Sequence, residues 1–230
     1  MRRLSLALLL AACDPAADVE PIALDMPVMP DASQPAVAFT CEPSDAASDP
    51  YIDCIESFAP RDATFGQDHM PGIVLGPPVP GPPGMGGLDV LSLGCGGEIT
   101  LFFDDPAIFD GPGPDFLVFE NPLATGDTAF IEPARVLASP DGETWYPFPC
   151  DPAGDAPGCA GVNPVHPHAD WSDPMAAGGD AFDLADLGLE SARYIRIIDV
   201  GEAHYGHRLW CGNSSGGFDL DAIAALHTAA

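Results

Sequence analysis

Asp115-Phe116-Leu117-Val118-Phe119-Glu120 is a run of four apolar residues closed by an acid at each end. Apolar on both of its alternating faces, it reads as a central strand packed on two sides. Outward from it, Glu98-Ile-Thr-Leu-Phe-Phe103 alternates and places Ile99, Leu101 and Phe103 on one face. Residues 133–139 and 143–148 flank Pro140-Asp141-Gly142, a turn signal that predicts a hairpin. Arg193-Tyr-Ile-Arg-Ile-Ile-Asp199 reads as a further strand. The stretch 218–226 reads either as a strand, with Asp219 and Asp221 on one face, or as a short helix. With 25 Gly and 27 Pro in 230 residues, long helices are disfavoured and turns abound. The pattern predicts an all-β domain over 39–230, an antiparallel β-sandwich with few or no long helices. The Pro/Gly-rich stretch 71–87 reads as a surface loop inside that domain.

The charge balance excludes one large class of partners. Thirty-five Asp and Glu stand against seven arginines and no lysine, a formal net charge of -28. Such a chain is repelled by phosphate backbones, so nucleic acid is not its ligand. With 47% hydrophobic residues it can still build a core, and a domain of this size buries roughly 70% of its unfolded surface.

The N-terminus reads Met-Arg-Arg, then Leu4-Ser-Leu-Ala-Leu-Leu-Leu10, then Ala11-Ala12-Cys13. A basic start, a short apolar run and small residues describe a secretory signal peptide over 1–12. The run is well short of the ~20 residues that cross a bilayer. Leu10-Ala-Ala-Cys13 resembles the lipobox of bacterial lipoproteins, in which the chain is cut before a cysteine that carries the lipid; palmitate is the expected acyl group. Cleavage there would leave five arginines against the same 35 acids. Residues 13–38 are rich in Ala, Pro and Asp and read as a disordered tether. Its ~25 residues would reach roughly 25–30 Å on average. The expected location is the cell envelope, on its periplasmic or its outer face, with the membrane as partner through the lipid.

Cysteine counting agrees with that assignment. Of seven cysteines, lipidation of Cys13 leaves six, an even number suited to an oxidising compartment. Short separations favour Cys41 with Cys54 and Cys150 with Cys159, leaving Cys95 with Cys211. No pair is spaced as CxxC, which argues against structural zinc.

Candidate chemistry centres on acids and aromatics. Asp110-Gly-Pro-Gly-Pro-Asp115 sets two carboxylates across a tight turn, and Glu120 closes the following strand. Calcium takes six to eight oxygens, and a Gly/Pro turn exposes carbonyls beside the acids. Asp180, Asp183 and Asp219 complete the candidate metal set, with Asp186 and Asp221 in the same acid-rich blocks. Paired carboxylates also serve polysaccharide hydrolases, with Glu120 the residue to test. His204 and His207, three apart, could share a metal with Glu202, although a polar surface loop is the plainer reading. No GxSxG elbow or phosphate-binding loop is present, and Ser214-Ser215 reads as a turn. Trp171 and Trp210 are the candidate carbohydrate-stacking residues, whereas Trp145 is expected in the core.

Several blocks together resemble a known group. They are Phe65-Gly-Gln-Asp68, Ile73-Val-Leu-Gly-Pro-Pro78, Leu88-Asp-Val-Leu-Ser-Leu-Gly94, Gly96-Gly-Glu-Ile99 and Asp110 through Asn121. Ser139-Pro-Asp-Gly-Glu-Thr-Trp145, Ala177-Gly-Gly-Asp-Ala-Phe-Asp-Leu184 and Gly217-Phe-Asp-Leu-Asp-Ala222 continue the series. Over roughly residues 62 to 226 the chain resembles secreted cell-surface proteins and lipoproteins frequent in myxobacteria. The resemblance implies a jelly-roll sandwich similar to galactose-binding, discoidin-like modules, which often hold a structural calcium. It implies no reaction. The function expected is a lipid-anchored envelope module acting by binding or display, with glycan or an envelope protein as ligand. The alternatives are a secreted polysaccharide hydrolase and a structural envelope protein without a specific ligand.

Overall fold

The run that opened the sequence reading forms strand β6, Phe116–Glu120, and all five of its residues are buried. The computed structural model describes residues 36–41, 49–79, 87–104, 107–120, 123–125, 128–166 and 173–228. In chain order the strands before β6 are β1 (Val37–Ala38), β2 (Cys54–Ala59), β3 (Leu91–Ser92), β4 (Glu98–Phe102) and β5 (Ile108–Phe109). After it come β7 (Leu123–Thr125), β8 (Thr128–Phe130), β9 (Ala134–Ser139), β10 (Tyr146–Pro147) and β11 (Asp180–Phe182). The last are β12 (Ser191–Ala192), β13 (Tyr194–Asp199) and β14 (Asp219–Ala225). Helices α1 (Pro174–Ala177) and α2 (Gly201–Tyr205) have four and five residues. No described helix is long and apolar enough to cross a membrane.

Two antiparallel sheets form the sandwich. One runs β1-β2-β4-β13-β9-β10 and the other β11-β6-β14-β3. Ile99, Leu101, Val136, Ala138, Ile195 and Ile197 of the first sheet share one buried cluster with Phe116, Val118, Leu220 and Ile223 of the second. Phe116, Phe148 and Phe182 pack ring to ring within it, centroids 4.9–5.7 Å apart. Burial of each such side chain is worth about 1.5–3 kcal/mol. The outer face of β6 is covered as well, since Leu117 and Phe119 pack with Tyr51, Ala177, Ala222 and Ala224. This is why β6 lacks polar alternation.

The expected hairpin is present, with Tyr146 opposite Ala138 and Pro147 opposite Leu137. Residues 219–225 are strand, and the register slips between Leu220 and Ala222. A bulge at Asp221 therefore shifts the alternation by one residue. Asp219 meets the Ser92 hydroxyl, while Asp221 accepts the Val79 N–H, so the two carboxylates serve different partners. Two expectations change. Ile73 and Val74, in the Pro/Gly-rich stretch, are buried in the main cluster, so the start of that loop contributes to the core. Trp145 is only partly buried and lies beneath the Arg196 guanidinium, 4.0 Å from its ring centre, on the outer surface of the six-stranded sheet. The Arg196 Nε–H also donates to Thr100 Oγ1, which seals that face.

Candidate functional site

Register divides the acids between two poles. Asp115 and Glu120 bracket β6, and a strand rises about 3.3 Å per residue, so they stand roughly 16 Å apart at opposite ends of the sandwich. At the Asp115 pole, Asp110, Asp115 and Asp183 come together, each offering a carboxylate oxygen within 4.8 Å of the others. Asp115 is fully buried and already employed. Its Oδ1 accepts the Gly111 N–H at 2.8 Å and lies 2.9 Å from His227 Nδ1, and its Oδ2 accepts the Leu184 N–H at 2.7 Å. A Cβ on Gly111 would stand 2.3 Å from the His227 ring, so that approach requires glycine. Asp183 Oδ1 accepts the Ala185 N–H and caps a 3-10 turn over Leu184–Leu187. Three hard oxygen donors beside a Gly/Pro turn suit calcium chemically, and they would hold it at this pole.

The other candidates do not join that group. Asp180 turns its carboxylate onto one loop, accepting N–H groups of Gly161, Val162 and Asn163 and the Asn163 side-chain amide at 2.7–3.2 Å. Glu120 and Asp219 lie at the opposite pole. Asp199, which closes β13, accepts N–H donors from Gly96, Gly201 and Phe218 there. Burial pushes the Asp199 carboxyl up to about 6 and that of Asp219 to about 7, the latter aided by the Asp199 charge. Glu132 is pushed up to about 9 by burial and by the charges of Asp219 and Asp199. Away from this cluster, burial raises Asp221 to about 7.

Sequence reading missed Glu132 altogether, and it placed Asp199 only as a strand end and Asp221 only beside Asp219 in an acid-rich block. A single-residue signal existed only for Asp199, as the acid that ends an apolar strand. The general use of aspartate in this protein is structural, as an acceptor for loop N–H groups in a fold whose loops have few regular partners.

These shifts set a pH dependence. An unfolded carboxyl titrates near 4, and the folded values are higher, so the folded state holds extra protons between these limits. Stability is complete below about pH 4 and is lost as pH rises through 6 and 7 toward 9. Melting without divalent ions should show a midpoint roughly 5–10 °C lower at pH 8 than at pH 5. Asp219→Asn should flatten that slope. A midpoint that instead rises over the range would contradict the assignment of neutral buried carboxyls.

The aromatic candidates also divide. Trp171 lies outside the described residues, as do His168 and Cys13. Trp210 is 46% exposed at the Asp199 pole. It packs edge-on to Phe130, centroids 5.5 Å apart, and lies 6.4 Å from Tyr205, whose hydroxyl donates to the Ile131 carbonyl. Tyr205 in turn stacks on Phe130 and on His207. His204 Nδ1 lies 2.6 Å from the Pro152 carbonyl and Glu202 pairs with Arg208, so among the described residues the histidine pair does not assemble with Glu202 as a metal site. Asn213 Oδ1 accepts the Ser215 N–H, which makes Ser214-Ser215 a turn. A cleft of about 400 Å³ between Phe65, His69, Ile73 and Leu88 contains none of the candidate metal or stacking residues.

All three expected disulfides are present: Cys41–Cys54, Cys95–Cys211 and Cys150–Cys159. No protein-family model matches the chain, and no curated protein matches it.

Proposed function

We propose that this protein is a lipid-anchored β-sandwich module of the cell envelope that acts by binding or display, with a glycan or an envelope protein as its ligand. The observation that carries the reading is the disulfide pattern. Every cysteine from 41 onward is paired with another, which leaves Cys13 over as the one cysteine available for lipid. Three disulfides in one domain fit an oxidising compartment outside the cytoplasm. The resemblance to secreted bacterial surface proteins supports the same location, and it underlies the finer reading of the sandwich as a galactose-binding-like jelly roll. Metabolic labelling with palmitate should mark the wild-type chain and not Cys13→Ala; an unlabelled wild type would overturn the anchor. A glycan array and envelope-protein capture identify the ligand. Release of reducing sugar from polysaccharide by the wild type, abolished in a folded Glu120→Gln variant, would replace binding by hydrolysis.

A calcium ion at Asp110, Asp115 and Asp183 is part of this proposal, in a structural role that draws three like charges together. Calcium should raise the melting midpoint and a chelator should reverse the rise. Asp183→Asn keeps an acceptor for the Ala185 N–H but removes a charge. That variant should lose the calcium increment while its calcium-free midpoint changes little. A wild-type midpoint unmoved by calcium would remove the metal from the proposal.

A further inference from the structure

The cross-strand register fixes where the N-terminal segment leaves the sandwich. In β1, Val37 stands opposite Phe58 and Ala38 opposite Ser57, and Phe39 continues the pairing by donating to the Glu56 carbonyl. The chain therefore runs away from Ala59 as it proceeds, and residue 36 lies on the Ala59 side. Ala59 is opposite Glu98, Glu98 is opposite Ile198, and Asp199 is opposite Ala134. The segment that carries Cys13 thus emerges at the Asp199 pole, and the Asp115 pole is at the far end.

The Asp199 pole also bears an apolar tip. In the loop after α2, Leu209 is 69% exposed and Trp210 46% exposed. The loop is fixed from behind by Cys95–Cys211 and by the rings of Phe130 and Tyr205. Between Glu202 and Asp219 the sequence has no acid, although acids make up 35 of 230 residues. Two acids beside the tip, Asp62 and Glu202, share the single Arg208 guanidinium. The tip is thus a rigid pair of interfacial side chains at the pole where the N-terminal segment leaves.

We propose that the Leu209–Trp210 tip docks on the bilayer that holds the lipid anchor, so that the sandwich stands with the Asp199 pole toward the membrane and the Asp115 pole outward. The proposal rests on anchoring at Cys13. Trp and Leu at a loop tip suit the headgroup boundary, where an indole places its apolar body inward and its N–H in water. Two side chains give a weak contact alone. The anchor makes that contact intramolecular, because fewer than 25 residues lie between Cys13 and Val37. The occupant is a zwitterionic surface, since the strongly acidic chain is repelled by anionic lipid.

The test uses the full lipidated chain in phosphatidylcholine vesicles with brominated acyl chains, read by tryptophan fluorescence, alongside palmitate labelling. Wild type should be quenched, and Trp210→Phe and Leu209→Asp should each lose the quenching at an unchanged melting midpoint. Addition of phosphatidylglycerol should reduce quenching in the wild type. Labelled but unquenched protein overturns docking and leaves anchoring standing. An unlabelled chain removes the anchor and this proposal with it. Quenching retained in Trp210→Phe would place another tryptophan at the surface and overturn the orientation. A dimer in solution that Trp210→Phe dissociates would assign the tip to a second copy of the chain, with the same consequence.

Discussion

Replacing Cys95 and Cys211 together by alanine is expected to lower the free energy of unfolding by about 4–5 kcal/mol, the largest effect of any disulfide here. The bond spans 116 residues, against 13 for Cys41–Cys54 and 9 for Cys150–Cys159. Because the loop-closure entropy removed from the unfolded chain grows with the logarithm of loop length, the shorter bridges should contribute about 2.5–3 kcal/mol each. The long bridge also holds local geometry. Cys95 donates its N–H to the Cys211 carbonyl, and Gly94 donates to Gly216. Gly217, at φ +79°, lies so close that a Cβ there would stand 2.8 Å from the Gly94 nitrogen. Urea unfolding of the three double variants under non-reducing conditions gives the comparison. If the Cys150/Cys159 variant lost as much as the Cys95/Cys211 variant, chain entropy would not be what these bridges supply.

Asp180→Ala should cost about 3–5 kcal/mol, because removal of one buried acceptor orphans several donors at once. Asp180 sits opposite Val118 in the pairing of β11 with β6, and four N–H groups of residues 161–163 converge on its carboxylate. Those residues follow Ala160, which bridges Ala134 at the start of β9. The carboxylate therefore ties one sheet to the loop that borders the other. Burial raises its pKa and the four hydrogen bonds oppose the rise. Asn at this position keeps an acceptor but points its own N–H groups at donors, so an intermediate loss is expected. Hydrogen exchange should show the amides of Gly161, Val162 and Asn163 losing protection in Asp180→Ala. A loss below about 1 kcal/mol with these amides still protected would refute the clamp.

The strands were legible because their side chains alternate or run apolar throughout, as in 98–103 and 116–119. The disulfides were legible because short separations left a single pair over. The bulge at Asp221 was not, since it shows only in the changed pairing between Leu220 and Ala222. Nor was Trp145, which precedes a strand in sequence yet lies under an arginine from the middle of the sheet. The candidate metal set was half legible. Asp110 and Asp115 are joined by a turn, and strand geometry itself dictates that Glu120 stands at the other end of β6. Asp180 reads as a ligand in sequence and Asp199 only as the end of a strand, because an acid that clamps a loop and an acid that holds a cation have the same letter. Their donors lie up to 103 residues away, and only the folded chain brings them together.

The six-stranded sheet is bounded by β1 and β10, each of two residues, and the second residue of β10 is a proline without an N–H. The four-stranded sheet is bounded by β11 and β3, of three and two residues. A passing strand therefore finds almost no ladder to extend on either sheet. Crowded side by side on a surface, copies of this domain have little means of zipping together through their backbones, and their association is left to side chains and to charge.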